Sequence, residues 1–393
     1  MSGPMAGVRI VELGQMIAVP AATHLLATQG AEVVKVENVL GGDDLRRFGS
    51  GKGGMSGWFA NANAGKRAIA VDLESSAGKA VLAGLIDRAD VFVQGFRPGS
   101  VDRLGLGYDA VAERNPRLVY VSASGFGGDG PYAGRPVYDP IIQAVAGWAG
   151  GQTLDDGSPS LVRGMVADKV AAMTVAQAIT AALHARSVHG EGQHVEVSML
   201  EANLAFNWPD VMMHETVLDD DALHLPNLLG SYRLFACTDG WVSLAAGTDR
   251  QWSSLCRACD RDDLLDDERF TSPQSRAANF PAWYGLIGEL AAAFARDDLI
   301  QRCVEADVPI APVYAPGEVV NDAQVAHRGA IVERDHPLVG RYRAPRQGAA
   351  FGRDTTTEPR PAPDHGEHTD ELLTELGHDA AAIAELRDSG VVR

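Results

Sequence analysis

Strand-like and helix-like stretches alternate through the first 124 residues, and that alternation leaves the chain few ways to fold. Residues 8–13 (VRIVEL) and 32–37 (EVVKVE) read as strands, with a helix at 20–29 between them that carries Pro20 in its first turn. Further strands are expected at 68–73, 90–96 and 118–124, and further helices at 75–88 and 108–114. Strands separated by helices at this spacing predict an α/β fold with a parallel sheet covered on both faces. In such a sheet a ligand sits at the carboxyl ends of the strands. The residues just after Leu13, Glu37, Leu73, Phe96 and Ser124 are therefore where a site is expected.

The chain is 393 residues long, too long for one ordinary core, so two domains are expected. Residues 1–215 read as the large domain. After an acidic linker at 218–221, residues 229–324 read as a smaller α+β domain, opened by a hairpin around Thr238-Asp239-Gly240. Residues 325–393 read as a C-terminal segment that returns to the large domain and ends in a helix pair at 369–386. The net charge of −18 argues against nucleic acid and anionic membrane surfaces as partners. No membrane span is expected, since the most apolar stretch, 170–185, is interrupted by Thr174, Gln177, Thr180 and His184. No signal-peptide pattern opens the sequence, and four cysteines form no disulfide framework, which together fit a cytoplasmic setting.

Asp168 heads a long apolar helical pattern with Ala171, Val175, Ala178, Ile179, Ala182 and Leu183 at helical spacing. A carboxylate at a helix start meets unpaired N–H groups and the positive end of the dipole, so its charged form is expected to be favoured. Such a residue is either a plain helix cap or an ionised nucleophile. Gly125-Phe126-Gly127-Gly128-Asp129-Gly130 follows a strand in the form G-x-G-x-x-G, but Pro131 to Pro136 cannot open the helix a dinucleotide fingerprint needs. Cys256 and Cys259 lack a second ligand pair and read as core thiols, and the histidines show no metal-ligand spacing. Lys66, Arg67, Arg97, Arg103, Arg46 and Arg47 fall near expected strand ends and fit a polyphosphate ligand. Seven glycines between Gly41 and Gly57 mark a loop, either a cover for the site or plain surface.

Several segments, read together, carry a family resemblance. They are residues 7–13 (GVRIVEL), 18–20 (AVP), 30–37 (GAEVVKVE), 63–67 (NAGKR), 96–99 (FRPG), 102–105 (DRLG), 124–127 (SGFG), 135–139 (RPVYD) and 366–369 (GEHT). The chain resembles the class III coenzyme A transferases of the formyl-CoA and carnitine-CoA transferase type, which are related to α-methylacyl-CoA racemase. The resemblance implies a Rossmann-like large domain with a smaller α+β domain, and an interlocked homodimer. It implies acyl-CoA and carboxylic acid substrates, with coenzyme A as substrate and product and no tightly bound cofactor. It also implies a nucleophilic aspartate at Asp168. Coenzyme A contacts are implied at Ile17, Ala18, Asn38, Val71, Leu73, Gly95, Phe96, Arg97, Arg103, Tyr138 and Asp139.

The chain departs from the family pattern in three places. Gly95 stands where an asparagine is common, Asn38 where relatives carry arginine, and Glu74 where lysine is usual. The racemase branch has a His-Asp pair where this chain has Tyr138-Asp139, and tyrosine is a poor base at neutral pH. Transfer is therefore expected rather than racemisation. A nicotinamide-dependent oxidoreductase and a non-catalytic CoA-ester-binding protein are two further functions compatible with a parallel sheet of this kind. Gly125 to Gly130 or Ala246-Gly247 are the candidate oxyanion donors. Trp148 and the 150–159 loop are candidates for shaping the acyl group.

Overall fold

The computed structural model describes residues 3–154, 156–223, 228–354 and 358–393. Asp155, within the 150–159 loop, and residues 355–357 lie outside the described residues. The expected strands form as β1 (Arg9–Leu13), β2 (Glu32–Asn38), β3 (Arg67–Val71), β4 (Val91–Gln94) and β5 (Val119–Ser124), joined by β6 (Gln193–Ser198). All neighbours run parallel, in the order β3-β2-β1-β4-β5-β6.

β3 and β4 are buried at every position, as a sheet covered on both faces requires. Alternate side chains divide between two cores. Val11, Val34, Ile69 and Phe92 face helix α2 (Ser76–Asp87), where Val81, Leu82, Leu85 and Ile86 meet them. Leu372 and Leu373 of the C-terminal helix Thr369–Leu376 pack in the same core. Ile10, Val33, Val91 and Val119 face the other way, onto helix α1 (Ala18–Thr28) and the long helix.

That long helix spans Val166–His189, 24 residues. It is long and apolar enough to cross a membrane, more so than its sequence suggested. Its residues Ala172, Val175, Ala176 and Ile179 nevertheless lie in the sheet core against α1, the place of a core helix. A helix from Asp139 to Val145 was not foreseen and is α3; the long helix is α4, and Met199–Asn207 is α5. α5 ends at Asn207, short of the expected 214; Trp208 is still helical, and Pro209 after it has no N–H to continue the helix ladder.

The chain divides into two compact units, one of residues 3–222 with 329–393 and one of residues 223–328. The second unit has a three-stranded antiparallel sheet of Phe235–Ala236, Trp241–Leu244 and Ile310–Pro312. Its core holds Trp252, Leu255, Phe270, Trp283 and Leu299, with Cys256, Cys259 and Cys303 among them as free thiols. The C-x-x-C pair therefore packs in the core, as its reading as core thiols expected.

Chain order runs outward from β1 to β2 and β3, then returns to β4 on the other side of β1. The crevice between the ends of β1 and β4 is thus a topological switch point, where open α/β sheets bind ligands. Gly14 and Gly95 leave those two strands side by side. A Cβ on Gly95 would lie 3.0 Å from Val19 Cγ2, and one on Gly14 would lie 2.6 Å from the Val19 side chain. The start of α1 is packed directly against both turns.

Candidate active site

At this switch point lies a cavity of about 510 Å³ lined by Gln15, Met16 and Ala18 after β1, Gly95 and Phe96 after β4, and Ser124 and Gly125 after β5. Tyr138, Asp139, Met165 and Asp168 complete the wall. Among the described residues, the two carboxylates are the cavity's only ionisable groups apart from the phenol of Tyr138.

Asp168 is the third residue of α4 rather than its cap. Met165 occupies the cap position without a side-chain hydrogen bond. The role expected of Asp168 is taken by Asp139, whose Oδ2 accepts the Asp168 main-chain N–H at 2.9 Å. Asp139 is 5% exposed, and its Oδ1 accepts from Gln143 Nε2 at 2.6 Å. Gln143, buried one turn along α3, also donates to the carbonyls of Val162 and Gly164 and accepts from Val162 N. It ties the strand-like approach to α4 against α3, so the backbone that carries Asp168 is held from both sides. Sequence reading missed Gln143; its spacing of four from Asp139 on one helix face was the available signal.

The expectation that Asp168 would be held charged is overturned. Burial, then the neighbouring charge of Asp139, push its carboxyl up to about 7 from 3.8. The helix start cannot offset this, because its free N–H at Asp168 is already spent on Asp139. A carboxylate raised to about 7 is more nucleophilic when ionised than an ordinary aspartate, and both of its forms are accessible near neutral pH. Asp139→Asn removes the like charge while keeping an amide oxygen for the Asp168 N–H. It is expected to move the acid limb of the pH–rate profile down by roughly one pH unit. An unmoved limb would mean that burial alone sets the value.

The other expected contacts distribute along the sheet. Ala18, Gly95, Phe96, Tyr138 and Asp139 line the Asp168 cavity. Ile17 instead lines a larger cavity of about 940 Å³ on the far side of Gly164 and Met165, which does not include Asp168. His24 lines that second cavity too; burial lowers it to about 4 and it hydrogen-bonds the Ala64 carbonyl, so it is a neutral imidazole at physiological pH. Asn38 and Val71 are level with one another at the ends of β2 and β3. Val71 is fully buried, and Leu73 is partly buried and packs on the core. Arg97 and Arg103 are exposed, and Arg103 donates to Ser100 Oγ at 3.0 Å. From β3 to β5 the strand ends span roughly 19 Å, a line suited to an extended ligand.

Three of the six basic residues assigned to a polyphosphate site are structural instead. Lys66 is fully buried and bonds Glu12, Asn63 and the Pro20 carbonyl. Arg46 is buried on Glu37, with its guanidinium 3.7 Å from the centre of the Phe59 ring. Arg67 is engaged by Glu32, Glu371 and Glu375, at the amino end of β3. Arg47 pairs with Asp44 on the surface. Within the glycine-rich stretch Asp43, Leu45, Arg46, Met55 and Ser56 are buried, whereas residues 47–54 are exposed. Trp148 donates its N–H to Asn203 Oδ1 at 2.9 Å and stacks on Phe206, a supporting position beside α4. Of the candidate oxyanion donors, Gly125 reaches the cavity, whereas Ala246 is buried in the core of the second unit. Among the described residues no group of three His, Cys, Asp or Glu side chains is placed to hold a metal ion.

Residues 5–369 match the model of CoA-transferase family III. The chain is 31% identical to the succinate–glutarate CoA-transferase of Agrobacterium fabrum, over 95% of this chain and 96% of that protein. It is 33% identical to the succinyl-CoA:mesaconate CoA-transferase of Haloarcula marismortui, over 96% and 97%. Among solved structures, a CAIB/BAIF family protein from Brucella suis aligns with a TM-score of 0.84 at 29% identity, covering 96% of this chain and all of that one.

Proposed function

The chain belongs to CoA-transferase family III and is a CoA-transferase; from that premise we propose that it exchanges coenzyme A between an acyl-CoA and a free carboxylate, with Asp168 as the covalent carrier. The observation that carries the proposal is a carboxyl group raised to about 7 in a cavity at the sheet's switch point. Among the described residues no cation lines the cavity, so it suits the uncharged thioester end of a pantetheine arm and not the phosphates. The nucleotide end then lies outward along the strand ends, toward Asn38 and the exposed Arg97 and Arg103.

The Asp168 carboxylate attacks the thioester carbonyl and expels CoA thiolate, giving a mixed anhydride. The thiolate attacks the aspartyl carbonyl, which releases the first carboxylate and leaves an aspartyl-CoA thioester. The acceptor carboxylate attacks that thioester, expelling thiolate again. The thiolate then takes the new acyl group and restores Asp168. Each step is a carbonyl substitution, so one hard exchange becomes four easier ones. Alignment in the cavity, worth about 7–11 kcal/mol in well-oriented systems, offsets the weak nucleophilicity of a carboxylate.

Among the described residues no histidine lines the Asp168 cavity, and Tyr138 stands 70% exposed at its rim. Both points favour transfer over racemisation. The homodimer implied by the resemblance and the cytoplasmic setting read from the sequence are part of the same proposal. Incubation with an acyl-CoA followed by hydroxylamine is expected to convert Asp168 to its hydroxamate, read as a mass change on the peptide that contains it. An unmodified Asp168 in an actively transferring enzyme would remove the covalent step.

A further inference from the structure

The turn that leaves β1 for the cavity is held in an unusual conformation. Met16 has a φ of +62°, a left-handed value that a side chain disfavours. Such backbone persists only where its surroundings over-determine it. Here the surroundings are a buried ion pair that the proposed reaction does not use. Asp43 Oδ1 accepts the Met16 N–H at 3.0 Å, and Lys35 Nζ donates to the Gly14 carbonyl at 2.9 Å. Lys35 Nζ in turn lies 2.9 Å from Asp43 Oδ2 and 2.9 Å from Glu12 Oε1, with all three side chains out of contact with water. The two main-chain groups flanking Gln15 are thus bonded by the opposite charges of one pair. Charge-assisted hydrogen bonds are short and strong, and burial makes them rigid.

The turn leads straight into α1, whose Ile17 cap makes no side-chain hydrogen bond. Gln15, Met16 and Ala18 form the cavity wall that Asp168 shares. We infer that Asp43 and Lys35 are positioning residues: their buried ion pair clamps the Gly14–Met16 turn in its left-handed form and so sets the wall that meets the thioester. This inference rests on the reading of the Asp168 cavity as the thioester site. It accounts for two charges sealed under a turn where apolar side chains would fill the same space, and for a methionine at a position whose geometry suits glycine.

The test is a cycle of Asp43→Ala, Met16→Gly and the double variant, read by kcat/KM for one acyl-CoA donor and by thermal midpoint. Asp43→Ala is expected to lower kcat/KM by about 10- to 100-fold, the scale of a misplaced substrate. Glycine takes the left-handed conformation freely, so Met16→Gly is expected to recover at least threefold in the Asp43→Ala background and to give no gain alone. Ile86→Ala, on the core face of α2, serves as the destabilised control and is expected to lower the midpoint without changing kcat/KM. A folded Asp43→Ala enzyme with wild-type kcat/KM overturns the inference. So does a double variant that regains midpoint but not kcat/KM. If Asp43→Ala does not fold, Asp43→Asn replaces it, since it keeps an oxygen for Met16 N–H and loses the charge facing Lys35. Absence of relief by Met16→Gly in that background overturns the clamp equally. Hydroxylamine trapping on the wild-type enzyme separates the two ideas. If Asp168 is not labelled, the covalent reading fails, and the clamp is then judged by acyl-CoA dissociation constants across the same cycle.

Discussion

Asp168→Asn is expected to lose CoA transfer by about 10⁴-fold or more, the scale seen when a covalent nucleophile is removed, while still binding coenzyme A. The same substitution is expected to make the protein more stable at alkaline pH. In the unfolded chain an aspartate ionises near 3.8, whereas Asp168 in the fold ionises near 7. Between those values the folded state holds the proton more tightly, so folding stability falls as pH rises through the interval, and above 7 the loss is complete. The full difference corresponds to at most roughly 4 kcal/mol, and partial solvent access reduces this to about 1–3 kcal/mol. Asparagine carries no such cost. Urea unfolding is therefore expected to show the variant matching wild type near pH 4 and exceeding it at pH 8. Substantial residual transfer would remove Asp168 from the mechanism; equal stability at pH 8 would mean that its carboxyl is not destabilised by its surroundings.

Glu12→Gln is expected to be among the most damaging single substitutions in the sheet. Glu12, Lys35 and Lys66 are all fully buried, and Glu12 bridges the two ammonium groups at 2.9 and 2.7 Å. Burial alone would raise the carboxyl, but Lys35 and Lys66 overcome it and hold Glu12 near 2. Lys66 is drawn down to about 8 by burial, against the pull of Glu12. Removing the Glu12 charge leaves Lys35 with Asp43 alone and Lys66 without its carboxylate partner, so the two lysines repel each other in a dry interior. Breaking a buried pair in this way costs about 3–5 kcal/mol, a large share of the stability of a domain. Urea denaturation at pH 7 measures it directly, and a loss below about 1 kcal/mol would show that water reaches the network.

Much of the large unit was legible beforehand. Five strands were readable from runs such as VRIVEL and EVVKVE, because a strand covered on both faces must be apolar at nearly every position. The carboxyl ends of those strands were legible as the ligand edge, and Asp168 stood out because it heads the most apolar helix. α3 was missed because seven residues beginning Asp139-Pro140 carry too little period to announce a helix. With it went Gln143 and the real partner of the α4 start. The basic residues were misassigned because a lysine in a sequence looks the same whether it meets phosphate or a glutamate 54 positions away.

Local chemistry, then, determined the strands and the α/β class and singled out Asp168 at a helix start, since those depend on neighbours within a few residues. Tertiary structure alone decided that Asp139 rather than Asp168 satisfies the α4 N–H, and that Asp168 is raised and not lowered. It alone decided that Lys35 and Asp43 face inward under the Met16 turn. Burial and charge pairing are sums over atoms brought together from distant parts of the chain, and no window of sequence contains them.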